Sequence, residues 1–436
     1  MRLDLRRHLA ALPERAPLPR YGRILELTGP VIVAALDGVR TGDLVEIRCG
    51  AGQGLPAEVV GLSQERAVLL PLAHARGLSV GAEIVPSGGP LRIRAGSELL
   101  GRVLDGLGRP VDGRPLPEGL VQWDVDRPAP GPLERPRVEK PLSLGVRAID
   151  AFLTVGEGQR IGLFAASGVG KSTLLGRIAR CSAAEVVVIG LVGERGREVR
   201  EFLDDALGPA GLARSVVVAA TSDAPPLVRL KGAHVATAIA EWFADVASRR
   251  VLLLLDSVTR VARAQREVGL AAGEPPTRQG YPPSVFAELP RLLERTGNRP
   301  RGAITAVYTV LVAGDDMDEP IADEVRGVLD GHVILDRRLA ARGHHPAIDV
   351  LQSVSRVMPA IVSPRRLAAA TRARQILAAW ERHRDLIALG AYARGSDPET
   401  DEAIDRMPAI EALLRQDPGE ASTLEEAVTR LEEVLA

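Results

Sequence analysis

Six continuous apolar runs, at residues 159–164, 185–191, 215–220, 250–255, 303–311 and 331–335, constrain this chain more than any other feature. None alternates polar with apolar residues, as a strand with one wet face would, and helix-length segments separate them. Strands buried on both faces and joined by helices make a parallel sheet of the α/β kind. The pattern begins only beyond Gly145. Between residues 22 and 85 the chain instead runs in short stretches such as Arg23-Ile-Leu-Glu-Leu and Asp43-Leu-Val-Glu-Ile-Arg, divided by Gly, Pro or Asp. That spacing belongs to a compact β-barrel. Residues 86–140 are rich in Pro and Gly and read as a connecting region over the surface. From Ser363 onward no strand pattern remains, and segments 365–389, 401–415 and 423–435 read as helices. The expected fold is α/β with a basic segment at 1–21, a small β-barrel at 22–88, a connecting region at 89–140, a parallel-sheet core at 141–362 and a helical domain at 363–436.

The first apolar run of the core leads into Ala165-Ala-Ser-Gly-Val-Gly-Lys-Ser-Thr and then the helical Leu174-Leu-Gly-Arg-Ile-Ala-Arg. Strand, glycine-rich loop and helix in that order form a phosphate-binding P-loop. Backbone N–H groups of Gly168, Val169 and Gly170 converge where the helix dipole favours negative charge. Lys171 brings a positive charge to the β- and γ-phosphates of ATP, and Ser172 offers a hydroxyl to Mg²⁺. Ala166, Ser167 and Thr173 complete the nucleotide-binding set. Ala165 stands where the motif has its first glycine, so either a Cβ fits there or φ stays negative. The chain has just three lysines, Lys140, Lys171 and Lys231, so a lysine at this position is not an accident of composition.

A P-loop needs an acid to hold the magnesium's water shell. Val251-Leu-Leu-Leu-Leu-Asp256 ends in a carboxylate at the sheet edge where ligands of open α/β sheets collect. Gly193-Glu-Arg-Gly-Arg-Glu follows another buried run, which puts Glu194 at a strand end, suited to polarising a water in line with the γ-phosphate.

Composition narrows the alternatives. Cys49 and Cys181 lie far apart and outside any Cys/His cluster, which argues for neither zinc nor disulfides. No apolar run approaches the ~18 residues that cross a bilayer. Net charge is −1 and aromatics are 3%, so nothing points to nucleic acid. Charge is unevenly spread: residues 1–23 hold six arginines against Asp4 and Glu14, while 397–436 hold twelve acids against three arginines. The basic end could meet anionic lipid or a partner, or stand solvated.

Ser167-Gly-Val-Gly-Lys-Ser-Thr, the 193–198 segment and Leu255-Asp-Ser-Val-Thr-Arg-Val-Ala-Arg resemble the catalytic subunits of rotary ATPases. The longer run from Gln265 to Pro290, with Gln279-Gly-Tyr-Pro-Pro-Ser inside it, and Asp315-Asp-Met-Asp-Glu-Pro-Ile-Ala-Asp-Glu-Val-Arg-Gly-Val-Leu-Asp-Gly-His resemble the ATPases of type III secretion systems. The resemblance covers about residues 20–430. It implies a β-barrel, a RecA-like core and a C-terminal helical domain, assembled as a homohexamer with ATP and Mg²⁺ at each subunit boundary. It also implies that Arg356, in Ser353-Val-Ser-Arg-Val-Met-Pro, reaches a neighbour's γ-phosphate, and that Arg195 is a second arginine of the phosphate environment. The family's adenine-stacking tyrosine is replaced here by His345, and one of its loop glycines by Ala166.

The implied work is ATP-driven protein export at the cytoplasmic face of the bacterial inner membrane. Chaperone–substrate complexes would meet the C-terminal domain, a central stalk would enter the ring past residues 279–284, and a peripheral stator would hold its outside. The basic N-terminus would serve as a stator or membrane contact. Leu270-Ala-Ala-Gly-Glu-Pro-Pro-Thr-Arg-Gln-Gly leans toward the injectisome branch over the flagellar one. A catalytic subunit of an ion-translocating rotary ATPase is the competing reading within the superfamily. A hexameric RNA helicase shares the core but needs stacking aromatics in its N-terminal fold, and residues 22–85 contain none.

Overall fold

The computed structural model describes residues 21–49, 53–63, 66–166, 168–312, 314 and 316–436. Ser167 and the basic residues 1–20 therefore lie outside the description. The described residues fall into two compact units that divide between Leu91 and Arg92.

The first unit is a closed six-stranded barrel in the order Gly22–Thr28, Val31–Ala35, Arg66–Pro71, Gln53–Ser63, Asp43–Cys49 and Glu83–Pro90. Alternation does what the sequence pattern requires: Ile32 and Ala34 turn inward with Ile24, Val45, Ile47 and Leu69, all at most 1% exposed.

In the second unit all six continuous apolar runs are strands of one nine-stranded sheet. Its order is Ile348–Ser355, Gly331–Leu335, Arg160–Ala165, Ala303–Leu311, Arg250–Asp256, Val186–Val192, Ser215–Ala220 and Arg102–Asp105, with Gly297–Asn298 pairing beside Ala303–Leu311. Ladders among the six runs are parallel, and the central strands are buried along nearly their whole length.

Two edge strands depart from the sequence reading. Arg102–Asp105, in the stretch expected to run over the surface, pairs parallel with Ser215–Ala220. The buried Arg102 forks onto Asp112 at 2.6 and 2.9 Å and also donates to the carbonyls of Arg114 and Pro115, which fastens the turn-rich stretch behind the strand. At the other edge Ile348–Ser355 runs antiparallel, pairing Ile348 with Leu335 and Ser355 with Gly331.

Beyond the sheet lie the helices Pro364–Ala388, Pro398–Leu414 and Leu424–Leu435. Each begins at a side-chain cap that satisfies the free N–H groups of a first turn. Ser363 accepts from Arg366 N, Asp397 from Glu399 N, and Thr423 forms a capping box with Glu426. No helix among the described residues is long and apolar enough to cross a membrane.

Candidate active site

The sheet's register gathers the site. Asp256 ends its strand directly opposite Leu191, so the chain that continues through Val192 carries Glu194 past the same edge. On the other side of Asp256's strand, beyond Ala303–Leu311, the strand Arg160–Ala165 feeds the phosphate loop, and the helix Lys171–Cys181 begins at Lys171. Gly168 and Gly170 have φ of 83° and 89°, the left-handed region a Cβ disfavours. Among the described non-glycine residues only Ser248 and Gln279 have positive φ, so Ala165 keeps an ordinary backbone and its Cβ is accommodated.

Lys171, Asp256 and Glu194 meet. Lys171 Nζ donates to Asp256 Oδ1 and lies 3.6 Å from Glu194 Oε1. Thr309 Oγ1, from the strand between, donates to Asp256 Oδ1 at 2.7 Å. Asp256 is not the cap of the following helix, because Ser257 accepts from Arg260 N in that position. Glu194 is 8% exposed and so is not a surface acid, while the flanking Arg195 and Arg197 pair outward with Glu198 and Glu201. Burial raises its carboxyl to about 7, helped by a hydrogen bond with Glu198 and by repulsion from Asp256, against the pull of Lys171 and Arg260. A carboxyl near neutrality suits a group that takes a proton from water at physiological pH.

Arg260 is a site residue that sequence reasoning missed. Its Nη2 donates to Glu194 Oε2 at 3.0 Å and its Nη1 to the carbonyl of Gly193. A Cβ on Gly193 would sit 2.9 Å from the Arg260 side chain, so the close approach requires glycine there. Arg260 stands inside the 255–263 segment that carries the family resemblance, but nothing in that segment assigned it a role.

Alongside the loop lies a cavity of about 500 Å³, lined by Val169, Gly170, Thr173, His345 and the 415–418 turn among others. His345 is exposed, and a Cβ on Gly170 would lie 3.9 Å from its Nδ1, so the ring stands beside the loop. Ser172 is exposed in the first turn of the helix. A hydroxyl and a buried carboxylate at one sheet edge are the hard oxygen donors that magnesium takes beside phosphates, so the residues present fit that ion.

Two expected members stand apart from this cluster. Arg195 directs a 75% exposed side chain toward Glu198. Arg356 is exposed, and its guanidinium makes no hydrogen bond or ion pair among the described residues. It follows the strand whose first residue lies beside Leu335 and whose last lies beside Gly331. Four strand steps, about 13 Å at ~3.3 Å each, separate Gly331 from Leu335. That gap exceeds the length of an arginine side chain, so Arg356 does not reach its own phosphate loop.

Residues 24–88 match the ATP synthase alpha/beta family beta-barrel domain, 145–355 that family's nucleotide-binding domain, and 362–433 the T3SS EscN ATPase C-terminal domain. The chain is 51% identical to the flagellum-specific ATP synthase of Bacillus subtilis, over 94% of each chain. It is also 51% identical to the type 3 secretion system ATPase of Xanthomonas euvesicatoria, over 99% of this chain and 97% of that one. Among solved structures it resembles the assembled ATPase EscN in complex with its central stalk EscO, from the type III secretion system of enteropathogenic E. coli. That likeness has a TM-score of 0.88 and 45% identity, over 95% of this chain and all of that one.

Proposed function

Because the chain belongs to the family of type III secretion system and flagellum-specific ATPases, we propose that it hydrolyses ATP at the subunit boundaries of a homohexameric ring that drives protein export. The observation that carries the shared-site reading is Arg356, whose guanidinium, unpaired among the described residues, stands a strand's length from its own loop. An arginine so placed serves a neighbour's γ-phosphate, where such a group is worth ~10³–10⁵ in turnover.

The remaining roles follow from the cluster. Backbone N–H groups of residues 166–170 and the helix N-terminus cradle the phosphates, with Thr173 at the helix's first turn. Lys171 leaves Asp256 for the phosphates when nucleotide enters, since triphosphate oxygens offer it more negative charge. Ser172 and, through water, Asp256 would hold Mg²⁺, which when bound neutralises charge on the phosphate oxygens. Glu194 accepts the proton of the attacking water, and Arg260 keeps that carboxylate oriented. Arg195, outward in this arrangement, lies next to Glu194 and would serve as a second arginine of the phosphate environment. His345 forms the stacking wall for adenine.

Partners follow the family. A central stalk like that of EscN would enter past residues 279–284. Chaperone–substrate complexes would meet the helical domain, and a stator or the inner membrane's cytoplasmic face would meet the N-terminal segment. The match at 362–433 and the 270–280 segment favour the injectisome branch, while curated relatives of both branches stand at 51%. The test is steady-state ATPase activity against protein concentration for wild type, Lys171→Ala and Arg356→Ala. Specific activity should rise with concentration, vanish without Lys171 and fall to a basal rate without Arg356. A flat profile together with a fully active Arg356→Ala would overturn the shared site.

A further inference from the structure

Arg177 is buried, on the phosphate-loop helix one turn beyond Thr173, and lines the cavity that holds His345. Among the described residues no carboxylate bonds it. Its Nη2 donates to the carbonyls of Gln416 (3.2 Å) and Asp417, and its Nη1 has no hydrogen-bond partner among the described residues. Those two carbonyls belong to the turn that follows helix Pro398–Leu414, so a guanidinium of the nucleotide-binding core grips the backbone of the helical domain. The same turn continues to the base wall, because Gln416 N donates to the carbonyl of His345 at 2.9 Å. On its other side the Gln416 amide donates to Gly145 O at 3.2 Å and accepts from Arg147 N at 3.0 Å. An unbroken hydrogen-bonded path therefore runs from the phosphate-loop helix, through Arg177 and the 416–417 backbone, to His345.

We propose that Arg177 is a positioning residue for the nucleotide base: by fastening the 416–417 turn to the phosphate-loop helix it holds His345 against the base. This rests on the reading that the cavity takes the base. The alternative use of a buried arginine beside a nucleotide is direct attraction to phosphate, and the two separate by ligand. A base-holding role weakens binding of nucleotides and leaves baseless phosphates alone, whereas a phosphate-directed charge weakens both.

The experiment measures KM for ATP, kcat, and competitive inhibition by ADP and by inorganic pyrophosphate, in the full chain carrying Arg177→Met, Arg177→Lys or His345→Ala. Losing the grip should raise KM for ATP and Ki for ADP about tenfold, as expected from charge-assisted hydrogen bonds. Ki for pyrophosphate and kcat at saturation should stay within about twofold. Arg177→Lys keeps the charge but not the fork, so it should move ADP and not pyrophosphate, and it decides the matter if Arg177→Met does not fold. A parallel rise for ADP and pyrophosphate, or no change in either, overturns the proposal. If His345→Ala also leaves Ki for ADP unmoved, the base reading of the cavity falls. If His345→Ala raises it while the Arg177 variants do not, only the role of Arg177 falls.

Discussion

Replacing Arg260 by methionine should move the acid limb of the turnover profile without abolishing turnover. Glu194 titrates near 7 because burial, Glu198 and Asp256 favour its protonated form while Lys171 and Arg260 oppose them. With a base of that pKa in the free enzyme, kcat/KM should fall about tenfold between pH 8 and pH 6, since only the carboxylate accepts a proton from water. Arg260 Nη2 lies 3.0 Å from Glu194 Oε2, and the arginine is 26% exposed. Unit charges with centres ~4 Å apart interact by ~4 kcal/mol at an effective dielectric constant of 20. Partial exposure, and water entering the space left by the side chain, reduce this to roughly 1.4 kcal/mol, about one pH unit. Removing the positive charge favours the neutral acid, so the limb should move upward, from near 7 toward 8. The assay is kcat/KM for ATP from about pH 5.5 to 9, the profile that reports the nucleotide-free enzyme, for wild type, Arg260→Met and Glu194→Gln. A limb in the same place for Arg260→Met and wild type would refute the assignment of that limb to Glu194.

Two further outcomes follow from single contacts. Asp112 is held well below the usual carboxylate range by its hydrogen bonds with Arg102, so its stabilising contribution is complete above the ordinary value near 3.8 and is lost as pH falls toward the lowered folded value. Asp112→Asn should then cost about 3 kcal/mol at pH 7, because Arg102 remains buried beside a neutral amide; urea midpoints that match wild type would contradict this. His345→Tyr enlarges the face offered to adenine, so KM for ATP should fall about threefold with kcat unchanged; an unchanged KM would place the base elsewhere.

The central parallel strands were legible because they are buried on both faces and need an uninterrupted apolar run. The edge strands were not, for the opposite reason. Arg102–Asp105 sits at the sheet margin, where it carries an arginine and an aspartate amid Gly and Pro, and Ile348–Ser355 alternates buried with exposed positions. In the site, Lys171 and Asp256 stood out because phosphate and magnesium chemistry demands those residue types at fixed places on a strand and a loop. Arg260 did not, since Arg263 and Arg266 follow it on the same helix and nothing local tells them apart. Its partner, Glu194, is 66 residues away. Arg177 and Gln416 are further apart still, 239 residues, and only the fold brings them together.

The central claim is that each site is completed by a neighbour, and mixing two inactive variants tests it most directly. Lys171→Ala keeps Arg356 but cannot hold phosphate, and Arg356→Ala keeps its loop but cannot complete the next site. In rings assembled at random from equal amounts, about one boundary in four joins an intact Lys171 to an intact Arg356. ATPase activity in the mixture should therefore rise from near zero to an appreciable fraction of wild type, bounded by roughly a quarter if boundaries fire independently. A mixture as inactive as its components, under conditions where wild type assembles and turns over, would contradict the account.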